Sequence, residues 1–93
     1  MNLADIPLLD GAARLADQGV RSTIWAANRT AVQMQAEMES ATEILLFDPQ
    51  TAGGLLAAVP AAQAQTILAK LLDAGEPAAI IGEVTDGSRI MLA

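Results

Sequence analysis

The chain contains no cysteine, no histidine and no tyrosine. Without cysteine it has no disulfide, no thiolate nucleophile and no zinc–thiolate site. Without histidine it lacks the commonest general base and the commonest metal ligand. The side chains left for chemistry are carboxylates, hydroxyls, and four arginines with one lysine.

Aromatic side chains are almost as scarce, since Trp25 and Phe47 are the only two. Hydrophobic residues fill 53% of the 93 positions, but many of them are alanine. A domain of this size buries only about two-thirds of its unfolded surface. The core is therefore expected to be lean, formed by helices packed on a sheet through small residues or completed by a partner.

A basic patch and a long apolar run are missing as well. The net charge is −6 and the five cations are scattered, which argues against nucleic-acid binding. No stretch reaches the roughly 18 apolar residues of a membrane span, and no signal region opens the chain. We therefore expect a cytoplasmic chain that binds neither nucleic acid nor membrane.

Two helices are predicted from apolar spacing and stop signals. The first covers residues 7–18, with Pro7 at its start and Gly19 as its stop. The second follows Pro60 and ends before Gly75, and its apolar residues share one helical face. The residues of that face are Ala64, Ile67, Leu68, Leu71 and Leu72.

The chain between these helices gives weaker signals. Residues 20–28 have no clean period and predict a loop or an irregular extended segment. Residues 30–41 are weakly helical, and the methionines at 34 and 38 suggest core or interface filling. Three glutamates are expected to face outward: Glu37, Glu39 and Glu43.

Short apolar runs predict the strands of the fold. The predicted strands are residues 43–47, 55–59, 78–85 and 88–92, with 1–3 as the end of a further strand. Asp86 and Gly87 suit a tight hairpin turn between the last two. The resulting order predicts an α+β fold with helices packed on a mixed β-sheet, partly ferredoxin-like. No internal boundary divides residues 1–93, which form a single domain or a domain fragment.

The most distinctive segment is the glycine-containing run at residues 46–55. Pro49 fixes its own φ and pushes Asp48 toward an extended conformation. Gly53 and Gly54 are expected to use positive φ values or to allow a close approach of the backbone. They lack the Gly-Lys-(Ser/Thr) ending of a P-loop, so a conformational role is favoured over a nucleotide cradle.

Residues 48–55, Asp-Pro-Gln-Thr-Ala-Gly-Gly-Leu, resemble a signature near the C-terminus of selenophosphate synthetase, also called selenide, water dikinase. The resemblance continues in Ile-Pro-Leu-Leu-Asp-Gly-Ala at residues 6–12, in Asn28, and in Ile-Gly-Glu-Val at residues 81–84. These features occur in the order found in that family, which belongs to the aminoimidazole ribonucleotide synthetase superfamily. The chain is thus identified as similar to the second half of the family's C-terminal domain.

The resemblance implies ATP-dependent conversion of selenide to selenophosphate, with release of AMP and phosphate. The family's glycine-rich N-terminal segment, its Cys or Sec and Lys, and its magnesium-binding aspartates have no counterpart here. A glycine pair found before the asparagine in many members is replaced by Arg-Ser-Thr-Ile at residues 21–24. ATP and Mg²⁺ are therefore implied for the full-length enzyme, and this chain is expected to be catalytically incomplete. Its expected partners are the ATP-binding remainder of the enzyme and a second copy in a dimer.

Neither a catalytic residue nor a metal site is assigned to this chain, but several residues are candidates for a site. Asp48 could bind magnesium or orient an amide, or cap its own turn. Gln50 and Thr51 could contact a phosphate or the other domain, or satisfy the loop backbone. Asn28 could line a cleft or form a local turn.

Two other functions fit parts of the sequence. The chain could be a free-standing interaction module that binds a partner through an open sheet edge. It could also belong to another ATP-using enzyme of the superfamily, although Gln50 and Thr51 argue against that assignment. A free-standing module should present a closed surface, whereas a fragment should expose an apolar face or self-associate.

Overall fold

A computed structural model describes residues 1–32, 34–35 and 40–93. The chain begins with a 3-10 turn at Leu3–Asp5. The other elements are α1 (Ala12–Asp17), α2 (Trp25–Thr30), β1 (Met34–Gln35), α3 (Ala41–Leu45), α4 (Ala61–Asp73) and β2 (Ile90–Met91).

Glycines end α1 and α4 at the predicted positions. Gly19 and Gly75 have φ values of +83° and +82°, the left-handed conformation that glycine adopts without strain. At α1, the N–H of Gly19 donates to Ala16 and the N–H of Val20 donates to Leu15, at 3.0 and 3.1 Å. The same pair of bonds follows α4, so both helices close in a Schellman motif. Both predicted stops are confirmed.

The first helix is shorter than predicted. Residues 7–10 are not helical, because Gly11 has a φ of +81° and α1 begins only at Ala12. The second prediction is confirmed almost to its ends, since α4 spans Ala61–Asp73. Its apolar face is only partly covered, because Leu71 and Leu72 remain exposed.

The strand predicted at residues 43–47 is wrong, since α3 occupies most of this segment. Ser40 and Glu43 form a capping box at its start. The Glu43 N–H donates to Ser40 Oγ at 3.2 Å, and the Ser40 N–H donates to Glu43 Oε2 at 3.0 Å. Two of the orphan N–H groups of a helix start are satisfied in this way. Glu43 is therefore buried, with 8% of its surface exposed, instead of facing outward.

Residues 20–28 also contain more helix than predicted, because α2 begins at Trp25. The weak helix predicted over 30–41 is helical only at its two ends among the described positions, at Thr30 in α2 and Ala41 in α3, and residues 34–35 form β1 instead. The predictions for Glu37, Met38 and Glu39 lie outside the described residues.

A small parallel ladder joins distant parts of the chain. In it β1 and β2 run parallel, with Met34 opposite Ile90 and Gln35 opposite Met91. The N–H of Ala93 donates to Met1 and the N–H of Leu3 donates to Ala93, both at 2.8 Å. This is the hydrogen-bond pattern of a parallel bridge, and it joins the first residues of the chain to Ala93, just after β2.

The strand end predicted at residues 1–3 is not assigned as a strand, since Met1 and Asn2 have no regular structure and Leu3 begins the 3-10 turn. The N–H of Asn2 donates to Ile81 at 2.7 Å. Residues 55–59 and 78–85 are not in strands, and only Ile90–Met91 of the predicted 88–92 strand is paired. The mixed, partly ferredoxin-like sheet stays a prediction.

The described core is as lean as the composition indicates. α1 packs against α3, and the two buried hydrophobic residues in the described chain are Ala16 and Phe47. Many large apolar side chains are exposed instead, with Leu55 at 95%, Val84 at 84% and Leu9 at 83%. None of the helices in the described residues is long and apolar enough to cross a membrane.

Replacing Gly82 with alanine should destabilise the ladder. A Cβ at Gly82 would lie 2.9 Å from the Met1 Cα, and the glycine φ is +156°. We expect the free energy of unfolding in urea to fall by about 1–3 kcal/mol. Gly54→Ala is the matched control, since nothing lies within 4 Å of its Cβ position. Equal stability of the two variants would contradict the close approach to Met1.

Candidate functional site

The motif loop, residues 48–54, leaves directly from the C-terminal end of α3. The last turn is closed by the N–H of Phe47 donating to Ile44 at 3.3 Å and that of Asp48 donating to Leu45 at 3.1 Å. Pro49 follows and has no N–H with which to continue the helix. The helix therefore sets where the loop begins.

An aromatic pair anchors this end of α3. Phe47 is 4% exposed, and its ring meets that of Trp25 edge to face, with centroids 6.1 Å apart and an interplanar angle of 85°. This is a favoured geometry for two aromatic rings, worth about 0.5–1.5 kcal/mol beyond the buried area. The two aromatic residues of the sequence thus contact each other although 22 positions separate them.

An arginine lies over each ring of the pair. Arg21 Cζ is 5.7 Å from the centroid of Trp25, and Arg29 Cζ is 5.3 Å from that of Phe47. Both distances fall within the range of cation–π attraction. Arg21 Nη1 also donates to the carbonyls of Ala16 and Val20 at 2.7 Å each, which ties it to the end of α1.

Two side chains of α2 donate to carbonyls at the end of α3. Trp25 Nε1 donates to Ile44 O at 2.8 Å, and Asn28 Nδ2 donates to Phe47 O at 3.0 Å. All four residues are buried or half-buried. The contact of Asn28 with the residue before Asp48 was not predicted from the sequence. One feature of the sequence could have indicated that α2 lies near the end of α3. Trp25 and Phe47 are the only aromatic residues, which favours a contact between them.

The predicted site residues of the motif loop lie together on the surface, and every position from 48 to 54 is exposed. Among the described residues, no hydrogen bond reaches the Asp48 carboxylate, so nothing there supports the turn-capping interpretation. The roles considered for Thr51 and for Asn28 as a cleft residue stay predictions.

Neither Gly53 nor Gly54 uses the positive φ that glycine permits. The alternative, a close approach, applies at Gly53, where a Cβ would overlap the Gln50 amide oxygen and lie 3.3 Å from the Gln50 Cβ. Gln50 is thus folded back over Gly53 inside the loop. Gly54 has open space around it.

The motif loop exposes polar side chains that can form hydrogen bonds. It presents one carboxylate, one amide and one hydroxyl, which can accept from or donate to a phosphate or a protein surface. No group of three or more acidic residues converges in the described part of the chain. One carboxylate is too few ligands to hold Mg²⁺ alone, so any metal bound near the loop would need ligands from elsewhere.

The sequence of the chain matches a known family of domains. Residues 7–92 match the family described as AIR synthase related protein, C-terminal domain. The chain belongs to this family, and the match covers the α2–α3 contact and the motif loop.

Curated relatives show which enzymes the chain resembles. The chain is 41% identical over 81 residues to selenide, water dikinase of Agathobacter rectalis, covering 83% of this chain and 24% of that protein. It is 36% identical to selenide, water dikinase 2 of Peptoclostridium acidaminophilum, covering 86% and 24%. It is 35% identical to selenide, water dikinase of Burkholderia ambifaria, covering 100% and 28%. The resemblance to selenophosphate synthetase is therefore confirmed.

The chain spans about a quarter of the length of the curated relatives it matches. No solved structure matches it significantly.

Removing the Phe47 ring should destabilise the α2–α3 contact. We expect Phe47→Ala to lower the free energy of unfolding by about 3–5 kcal/mol, because it leaves a cavity and removes the partner of Trp25. Urea unfolding followed by Trp25 fluorescence measures this change. Leu55→Ala, at a position 95% exposed, is the control and should change stability by less than about 0.5 kcal/mol. Similar losses in both variants would contradict the anchoring role of Phe47.

Proposed function

We propose that this chain works as the C-terminal portion of a selenide, water dikinase, an enzyme that makes selenophosphate from selenide and ATP. The observation that carries the proposal is the resemblance to enzymes of that name, which extends over 83–100% of this chain. In this role the chain supplies no nucleophile, general base or metal site. ATP and Mg²⁺ are held by the remainder of the enzyme, in the cytoplasm.

The motif loop is the part of the chain that meets that remainder. Its side chains are exposed and chemically suited to contact a phosphate or a protein surface. Leu55 and Leu56 follow the loop directly and are 95% and 74% exposed. Two adjacent leucines in water are unfavourable by about 1.5–3 kcal/mol each relative to burial. A protein surface that covers them would complete the lean core.

The exposed apolar residues also favour this proposal over a free-standing interaction module. A module that functions alone should close its surface, yet Leu9, Leu56 and Val84 are each more than 70% exposed. Partners that would bury them are the ATP-binding remainder and, in its absence, a second copy of the chain. A closed twofold dimer is the commonest form of such self-association.

A chimaeric enzyme tests the function directly. Residues 7–92 would replace the matched segment of the Agathobacter rectalis relative, and selenide-dependent consumption of ATP would be measured. We expect the chimaera to remain active because the exchanged segment carries no catalytic group.

The isolated chain should neither turn over ATP nor bind it tightly. Titrated with Mg-ATP in a calorimeter, it should not show a dissociation constant in the low micromolar range, which corresponds to a binding free energy of about −8 kcal/mol.

An inactive chimaera that folds and binds ATP like the parent enzyme would argue against the assignment to selenide, water dikinases. Tight ATP binding by the isolated chain would argue against the role of a non-catalytic portion.

Replacing the two leucines after the motif loop with glutamate should prevent self-association. We expect the parent chain to sediment as a dimer at high concentration, and the Leu55→Glu/Leu56→Glu variant to sediment as a monomer, because charge cannot be buried unpaired. Gln63→Glu/Gln65→Glu adds the same charge at exposed positions of α4 and is the matched control. A parent chain that stays monomeric would favour the free-standing module.

A further inference from the structure

The two hydrogen bonds between α2 and α3 have matched spacing. Their donors, Trp25 and Asn28, lie three positions apart, and so do their acceptors, Ile44 and Phe47. Each donor is 19 residues from its acceptor. Since positions three apart lie on the same face of a helix, both bonds join one face of α2 to the end of α3.

The accepting carbonyls belong to a helix end that needs partners. The last carbonyls of an α-helix have no partner within the helix. The Ile44 carbonyl receives the Phe47 N–H at 3.3 Å, a long bond, and the indole N–H at 2.8 Å. The Phe47 carbonyl receives the Asn28 amide at 3.0 Å. In half-buried surroundings such bonds are stronger than in water.

The second bond holds the last peptide group before the motif loop. The Phe47 carbonyl belongs to the peptide whose N–H is that of Asp48, and Pro49 follows. The orientation of this peptide plane sets the direction in which Asp48 and Pro49 leave the helix, because Pro49 has a fixed φ and confines Asp48 to an extended conformation. The fold of Gln50 over Gly53 keeps the next turn of the loop compact.

We propose that Asn28 is a positioning residue for the motif loop. Trp25 and Asn28 act as a side-chain cap, supplied from a different helix, on the C-terminal end of α3. Trp25 fixes the last helical turn, and Asn28 fixes the peptide from which the loop departs. The inference concerns the conformation of the loop and does not depend on the proposed function, so an inactive chimaera would leave it intact.

Nuclear magnetic resonance of the 93-residue chain carrying Asn28→Asp tests the proposal. This change keeps the shape of the side chain but replaces the donor facing Phe47 O with an acceptor. We expect the carbonyl ¹³C resonance of Phe47 to shift and the amide resonances of Asp48, Gly53 and Gly54 to move with it. Gln65→Glu, an exposed position of α4, makes the same chemical change and should leave all of these resonances in place.

Two results would overturn the proposal. The first is a shifted Phe47 carbonyl with unmoved loop amides, which would show that the bond exists but does not orient the loop. The second is a Phe47 carbonyl ¹³C resonance that does not shift.

If the Asn28→Asp variant unfolds, the parent chain provides the test. A side-chain amide proton of Asn28 should exchange with solvent about fivefold more slowly than those of Gln65. Equal exchange rates would reject the bond.

Discussion

The edge-to-face contact between Trp25 and Phe47 is the interaction on which the described structure depends. The chain has no other aromatic side chain with which to build a core, and Phe47 is one of two hydrophobic residues that are buried in the part of the chain the structure describes. The contact holds α2 against the end of α3, and the arginines over each ring extend it. Because Arg21 also bonds the end of α1, three short helices are joined around one ring pair.

Short helices need such a contact, since α1, α2 and α3 contain only five or six residues each. Isolated helices of this length are not stable in water. Their stability comes from capping and from tertiary packing. The Ser40–Glu43 capping box satisfies one end of α3, and the side chains of α2 satisfy the other. The helix that precedes the motif loop is thereby fixed at both ends.

Large apolar side chains lie on the surface of the described residues. Leucines after the motif loop and along α4 are exposed, so much of the apolar surface of the described residues is not buried. The motif loop and the two leucines that follow it, Leu55 and Leu56, are all exposed.

Local signals in the sequence determined the stops of α1 and α4 at Gly19 and Gly75, the extent of α4, and the family. Each depends on neighbouring residues, because left-handed glycines and helical periodicity act within one or two turns. Residues 43–47 are apolar enough for a strand, but the local Ser40–Glu43 capping box starts a helix at Ala41. Tertiary structure then buries Phe47 against Trp25. The bond from Asn28 to Phe47 and the approach of Gly82 to Met1 join positions 19 and 81 apart. No local pattern encodes such contacts, because they depend on how the whole chain packs.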